Sequence, residues 1–228
     1  MTKFSKAISA AAAILIGSVL LSGCSGSSPE EEMYSALEKV VSLEDTFEQQ
    51  QKPLIELEKE ENELYEEIIS LGMKEYDKIV SLSKEASAVV EEREKRLEDE
   101  RQSILDSKEE FKKIADLSKE LKEDGAKDKA DKLQGLMQNR YDSYDALYAS
   151  YKEAIDLDKE LYQMFQKKDL KLEELEAKIT EINSTYEKVL AENKKFNEYT
   201  EQYNQAKMDF YKEAEIEVEQ PEENASKS

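Results

Sequence analysis

From Leu54 to Tyr211 the chain contains no proline, and apolar residues and tyrosines recur along it at alternating steps of three and four. From Tyr76 the rule picks out Tyr76, Ile79, Ser83, Ala86, Val90, Arg93, Leu97, Glu100, Ile104, Ser107, Phe111, Ile114, Ser118 and Leu121, of which nine of fourteen are apolar or tyrosine. From Met137 it gives Tyr141, Tyr144, Tyr148, Tyr151, Ile155, Asp158, Tyr162 and Phe165. From Leu172 it gives Leu175, Ile179, Ile182, Tyr186, Val189, Asn193, Phe196, Thr200, Tyr203, Lys207 and Phe210. A helix places residues three and four apart on one face, so a seam held over this many heptads specifies long helices packed in coiled-coil fashion. Polar seam members such as Asn193 set register at some cost in stability. The fold class is all-α.

The breaks divide that helical body. Proline tolerates a first helical turn, and acids there suit the helix dipole, so Pro29-Glu30-Glu31-Glu32 opens the body. Pro53 removes a backbone donor and is expected to break or kink the helix. Gly125, in Glu123-Asp124-Gly125-Ala126, is the best turn candidate. The seam runs in phase through Gly72 (Tyr65, Ile69, Gly72, Tyr76, Ile79), so a helix could simply continue there. Between Phe165 and Leu172 the phase slips, as it would at a turn near Asp169 or at a stammer. Two arrangements satisfy this pattern. One is an elongated antiparallel hairpin folding at Gly125, with arms of roughly 130 Å. The other is a four-helix bundle with further turns near Gly72 and Asp169. The hairpin, kinked near Pro53 and with Gly125 at the tip far from the N-terminus, is the preferred expectation.

The first 24 residues address the chain. Lys3 and Lys6 precede an apolar run from Ala7 to Leu21, and Leu21-Ser22-Gly23-Cys24 follows. This is the layout of a secretory signal peptide with cysteine where the mature chain would begin. It reads as a bacterial lipobox: residues 1–23 are cleaved and Cys24 carries S-diacylglycerol, with an N-acyl group as an option. The run of about 15 apolar residues is short of the roughly 20 that span a bilayer. Two acyl chains anchor firmly, because each buried methylene contributes about 0.8 kcal/mol. Residues 24–29 form the lipidated N-terminus and a tether, residues 30–214 the helical domain, and residues 215–228 an acidic tail without an apolar stripe, expected to be disordered.

Composition narrows the chemistry. Cys24 is the only cysteine and histidine is absent. With its thiol committed to lipid, the chain has no disulfide, no nucleophilic sulfur and no imidazole base or metal ligand. Removing residues 1–23 takes Lys3 and Lys6 and no acid, so the formal charge of −21 becomes −23. A surface this acidic repels nucleic acid, which is excluded as a partner. No glycine-rich phosphate loop, Gly-x-Ser-x-Gly or EF-hand loop is present. No catalytic residue, metal site or cofactor is expected beyond the covalent lipid. The one unusual cluster is the tyrosine ladder Tyr141, Tyr144, Tyr148 and Tyr151. It is either an aromatic platform for sugar rings or a helix seam built from tyrosines.

The lipobox ending in Cys24, Gln51-Lys52-Pro53-Leu54, Leu64-Tyr65 through Leu71-Gly72, Ser103-Ile104 with Phe111, and Arg140-Tyr141-x-x-Tyr144 resemble the YkyA-like cell-wall-binding lipoproteins of Gram-positive bacteria. The resemblance covers most of residues 20–215. It implies an envelope lipoprotein with affinity for the wall, and assigns no binding residue. The function expected is that of a non-enzymatic, lipid-anchored spacer or scaffold on the outer face of the cytoplasmic membrane. Its partners would be the membrane, through lipid, and peptidoglycan or another wall polymer, or an envelope protein. The alternative is a coiled-coil regulator or adaptor of an envelope enzyme such as a cell-wall hydrolase. The sequence leaves the oligomeric state open.

Overall fold

The computed structural model describes residues 27–218. Helices α1 (Pro29–Leu43), α2 (Asp45–Ser70), α3 (Tyr76–Phe111), α4 (Ile114–Glu120), α5 (Asp124–Phe165) and α6 (Leu172–Glu213) follow one another, with a short 3-10 turn at Met73–Glu75. No strand occurs among the described residues. The fold class is therefore all-α, as the periodicity requires.

The chain turns at 71–75 and again at 166–171, so the two-rod hairpin gives way to four helical segments packed together. The expected break at Pro53 is absent: α2 runs through Pro53 without interruption, and the chain instead breaks at Glu44. The expected turn near Gly125 is present, but Gly125 itself does not make it. It lies in the first turn of α5 with no left-handed backbone, and the reversal is made by residues 121–123.

The described residues form two compact units. One contains 46–102 and 143–196, and the other contains 27–45, 103–142 and 197–218. In the first, segments of α2, α3, α5 and α6 enclose a core that includes Leu54, Val90, Leu97, Ile155 and Phe196. In the second, α1, the end of α3 with α4, the start of α5 and the end of α6 enclose Met33, Leu37, Ile114, Met137 and Phe210.

Ser28 opens the second unit. Its hydroxyl accepts the Glu31 amide at 3.2 Å while the Glu31 carboxylate accepts the Ser28 amide at 3.0 Å, a reciprocal capping box. Ser28, which the sequence places in the tether, thus caps the helix that Pro29 opens. At the same end the Tyr34 and Tyr211 rings lie 5.0 Å apart, and Glu38 accepts from the Tyr211 hydroxyl at 2.7 Å. A side chain at Gly125 would meet the Glu213 carboxylate. Gly125 therefore lies against the end of α6, in the unit that also holds the start of α1, and not in the other unit as a distal tip would.

Gly135 lies exposed inside α5, about three turns from its start, with open space where a Cβ would be. Gly135→Ala should raise stability by about 0.5–1 kcal/mol, because a helix-interior glycine gives up that much to alanine. Gly125→Ala should gain less, since Glu213 must swing aside. Urea denaturation of both variants checks the order.

Candidate functional site

The positions where the seam turns polar are where the chemistry gathers. Ser83, Arg93, Glu100, Ser107, Asp158, Asn193, Thr200 and Lys207 occupy seam positions, and all are buried. Burying a charge is costly unless it is paired and hydrogen-bonded, so Arg93, Glu100, Asp158 and Lys207 need partners, whereas the Ser83 hydroxyl is satisfied within its own helix by the Ile79 carbonyl at 2.7 Å.

In the unit containing 46–102 and 143–196, Arg93 on α3 joins all four segments. Its Nη1 contacts Glu61 of α2 and donates to Asp158 Oδ2 of α5 at 3.2 Å. Its Nη2 donates at 2.8 Å to the Tyr186 hydroxyl of α6, which in turn donates to Asp158 Oδ2 at 2.6 Å. Glu58 lies 3.9 Å from Nη2 and accepts from Tyr151. Burial pushes both carboxyls, Glu61 and Asp158, above their ordinary range, against the pull of Arg93. Burial works against the Arg93 charge as well, but Glu61 and the surrounding oxygens hold the guanidinium firmly protonated. This is a structural ion cluster enclosed by four helices, with the perturbed titration that such networks produce.

The unit containing 27–45, 103–142 and 197–218 has its own version. Arg140 of α5 is fully buried and grips Glu44, between α1 and α2, with Nη1 at 2.8 Å and Nη2 at 2.5 Å. Its Nε donates to Thr200 of α6 at 2.9 Å. Ser107 of α3 donates to Glu44 at 2.5 Å and lies 2.7 Å from the Tyr141 hydroxyl. The break at Glu44 thus places a carboxylate where the Arg140 fork can take it with both arms.

Glu100 of α3 is different. It is buried, with Gln51 Nε2 donating to one oxygen and Tyr144 Oη to the other, each at 2.8 Å. No cation pairs with it among the described residues. Burial raises its pKa from 4.5 to about 7, only partly opposed by the two donors. It lines a cavity of about 30 Å³ with Gln51, Leu54, Glu58, Leu97, Leu147, Tyr148, Tyr151 and Asn193 among the walls.

The tyrosine ladder does not form an exposed platform. Tyr141, Tyr144 and Tyr151 are buried and Tyr148 is half-buried, with the Arg101 guanidinium 4.8 Å from the Tyr148 ring centre. Tyr141 belongs to one unit and the other three to its neighbour in sequence. Seam packing explains all four hydroxyls: they meet Ser107, Glu100, Glu98 and Glu58 in turn. The lipobox residues Leu21, Ser22, Gly23 and Cys24 lie outside the described residues. No group of three potential metal ligands occurs among the described residues, and none of their helices is long and apolar enough to cross a membrane.

The sequence pattern singled out the tyrosines and passed over Arg93, Arg140, Glu44 and Glu61. For Arg93 the signal was present, as a charge standing on the apolar seam. Arg140 and Glu44 are off the seams and become visible only when the four segments meet.

Fold and interior together define an all-helical protein of long antiparallel helices cross-tied by buried arginines. The family model described as "Putative cell-wall binding lipoprotein" matches residues 28–213, and the chain belongs to this YkyA family. It is 39% identical over 193 residues to the uncharacterized lipoprotein YkyA of Bacillus subtilis strain 168, covering 85% of this chain and 86% of that one. A crystal structure of a conserved protein of unknown function from Staphylococcus aureus shares the fold, with a TM-score of 0.62, 16% identity, and coverage of 82% of this chain and 98% of that one.

Proposed function

We propose that this lipoprotein is a non-enzymatic spacer or scaffold, held to the outer face of the cytoplasmic membrane by lipid on Cys24 and contacting wall polymer through its surface. The supporting observation is the fate of its buried charges. Arg93, Glu61, Asp158, Arg140 and Glu44 are spent on tying helices together, so contact with a partner falls to exposed residues.

The surface we favour is the pair of turns at 71–75 and 166–171. Both belong to the unit that does not carry the tether. The Tyr76 hydroxyl donates to the Gln166 carbonyl at 2.7 Å and Lys168 Nζ lies 5.4 Å from the Tyr76 ring centre, so the two turns adjoin. Lys74, Lys167 and Lys168 are exposed and have no ion-pair partner among the described residues. In a chain of charge −21 the segments 71–75 and 166–171 carry four lysines against Glu75 and Asp169, a locally positive patch open to an anionic polymer, since charges beyond about 10 Å are screened at 0.1 M salt.

The test is retention of the purified protein on isolated wall. Wild type should be retained, and a Lys74→Gln, Lys167→Gln, Lys168→Gln variant should bind about tenfold more weakly with a shallower salt dependence. Failure of wild type to be retained overturns the reading. Equal retention by the triple variant moves the contact elsewhere. Ile69 and Leu172, exposed beside the same turns at 48% and 68%, favour a second reading, in which the chain is an adaptor or regulator of an envelope enzyme. Cross-linking in intact cells at residues 69 and 172 would then capture one protein in place of polymer.

A further inference from the structure

We infer that the cavity beside Glu100 is a binding site for the head of a primary alkylamine, with the ammonium against the Glu100 carboxylate and its first methylenes along Leu54, Leu97 and Leu147. The wall contact has no part in this inference.

Glu100 carries the argument. It is a buried carboxylate whose two protein donors, Gln51 and Tyr144, are both neutral. A carboxylate has about four lone-pair sites, so acceptor capacity is left for N–H donors arriving through the cavity. The other buried acids of this unit, Glu61 and Asp158, have Arg93. Glu100 has no such counter-charge among the described residues, and an ammonium would supply it.

The surroundings select the ligand. A volume of about 30 Å³ exceeds the roughly 10–15 Å³ that one water needs, and suits a small head group rather than a sugar ring. The apolar walls suit methylenes. Glu58 adds a second carboxylate, turned partly away by Tyr151 and by Arg93 at 3.9 Å. Hard divalent ions take six or more oxygens, and no cluster of three acidic or imidazole ligands exists among the described residues. Three N–H donors on a compact cation fit two acids and an amide better.

The groups facing Glu100 decide how binding responds to pH. From α2 come Gln51 and Glu58, from α5 Tyr144, Tyr148 and Tyr151, and from α6 Asn193. Arg101 of α3 lies over the Tyr144 and Tyr148 rings and is paired with Asp145, which offsets its charge. An alkylammonium stays protonated below about pH 10, as a lysine does. Ionisation of Glu100 then sets the affinity, because only the ionised fraction binds.

Calorimetry with propylammonium chloride on the full chain tests this, with sodium chloride at equal ionic strength as reference and tetramethylammonium, which has no N–H donor, as control. Saturable propylammonium binding is expected at pH 8, weakening about tenfold at pH 6. Glu100→Gln should abolish it. Leu147→Phe, which fills the cavity and leaves the carboxylate, should weaken it about tenfold or more. The triple lysine variant should bind as wild type does. No saturable binding at pH 8, the same affinity in Glu100→Gln, or an affinity unchanged between pH 6 and pH 8 overturns the inference and leaves the cavity to water.

Discussion

Arg140→Met is expected to destabilise the unit built from 27–45, 103–142 and 197–218 by about 3–5 kcal/mol, because it strands the Glu44 charge in a dry interior. Glu44 is 3% exposed, and without the guanidinium it is left with the neutral Ser107 hydroxyl as a donor. A loss of that size lowers the midpoint of thermal unfolding by about 10 °C in a protein of this length. Circular dichroism melts would show it. Pairing Arg140→Met with Glu44→Gln should restore a good part of the loss, since no charge is then left unmatched. Arg140→Lys should fall between, because an ammonium cannot reproduce the two-armed grip or the Nε bond to Thr200. A melt within about 2 °C of wild type for the single variant would overturn the claim that Arg140 is needed to hold Glu44 in the interior.

Glu100→Gln should act in the opposite direction. The folded protein holds the Glu100 proton up to about pH 7, against 4.5 for an ordinary glutamate. Its contribution is therefore fully present below about pH 4.5 and is lost as pH rises through about 7, where folding must bury a charge. A gap of this size corresponds to about 3 kcal/mol. The substituted amide should remove that cost, because its oxygen can accept from Gln51 while its nitrogen donates to the Tyr144 hydroxyl. The variant should be more stable than wild type at pH 8 and nearly equal to it at pH 4.5. Glu61 and Asp158, also raised by burial, push wild-type stability the same way, while the half-buried Glu94 and the exposed Asp116, lowered by lysine partners, push against it. The difference between variant and wild type isolates Glu100. Denaturant titrations at the two pH values decide the matter, and an unchanged difference would refute the assignment.

Much of this architecture could be read from spacing alone. The steps of three and four placed Ile104, Tyr144, Val189 and Phe196 on the buried face, where they are. Pro53 misled because a single proline costs one backbone bond, which tertiary packing of a long amphipathic helix can outweigh. Gly72 misled in the other direction. The phase through Ile69 does not persist, since Ile68 is buried and Ile69 exposed, and the chain reverses where the spacing runs on unbroken. Gly125 drew attention as a turn former, but its neighbours at 121–123 make the turn with ordinary backbone. The interior charges were legible in part. Arg93, Glu100 and Asp158 fall on the seam, and a charge on an apolar seam asks for a partner. Which partner depends on the vertical alignment of four helices, and no local pattern encodes it.

The Arg93 cross-tie has a mechanical corollary. Sliding α3 along its neighbours by one helical turn is a shift of about 5.4 Å, more than any of its hydrogen bonds can stretch. Such a slip would uncouple Arg93 from Glu61, Asp158 and Tyr186 in one movement. A greased bundle of leucines creeps under load; this one should behave as a riveted joint, rigid to shear until it fails all at once.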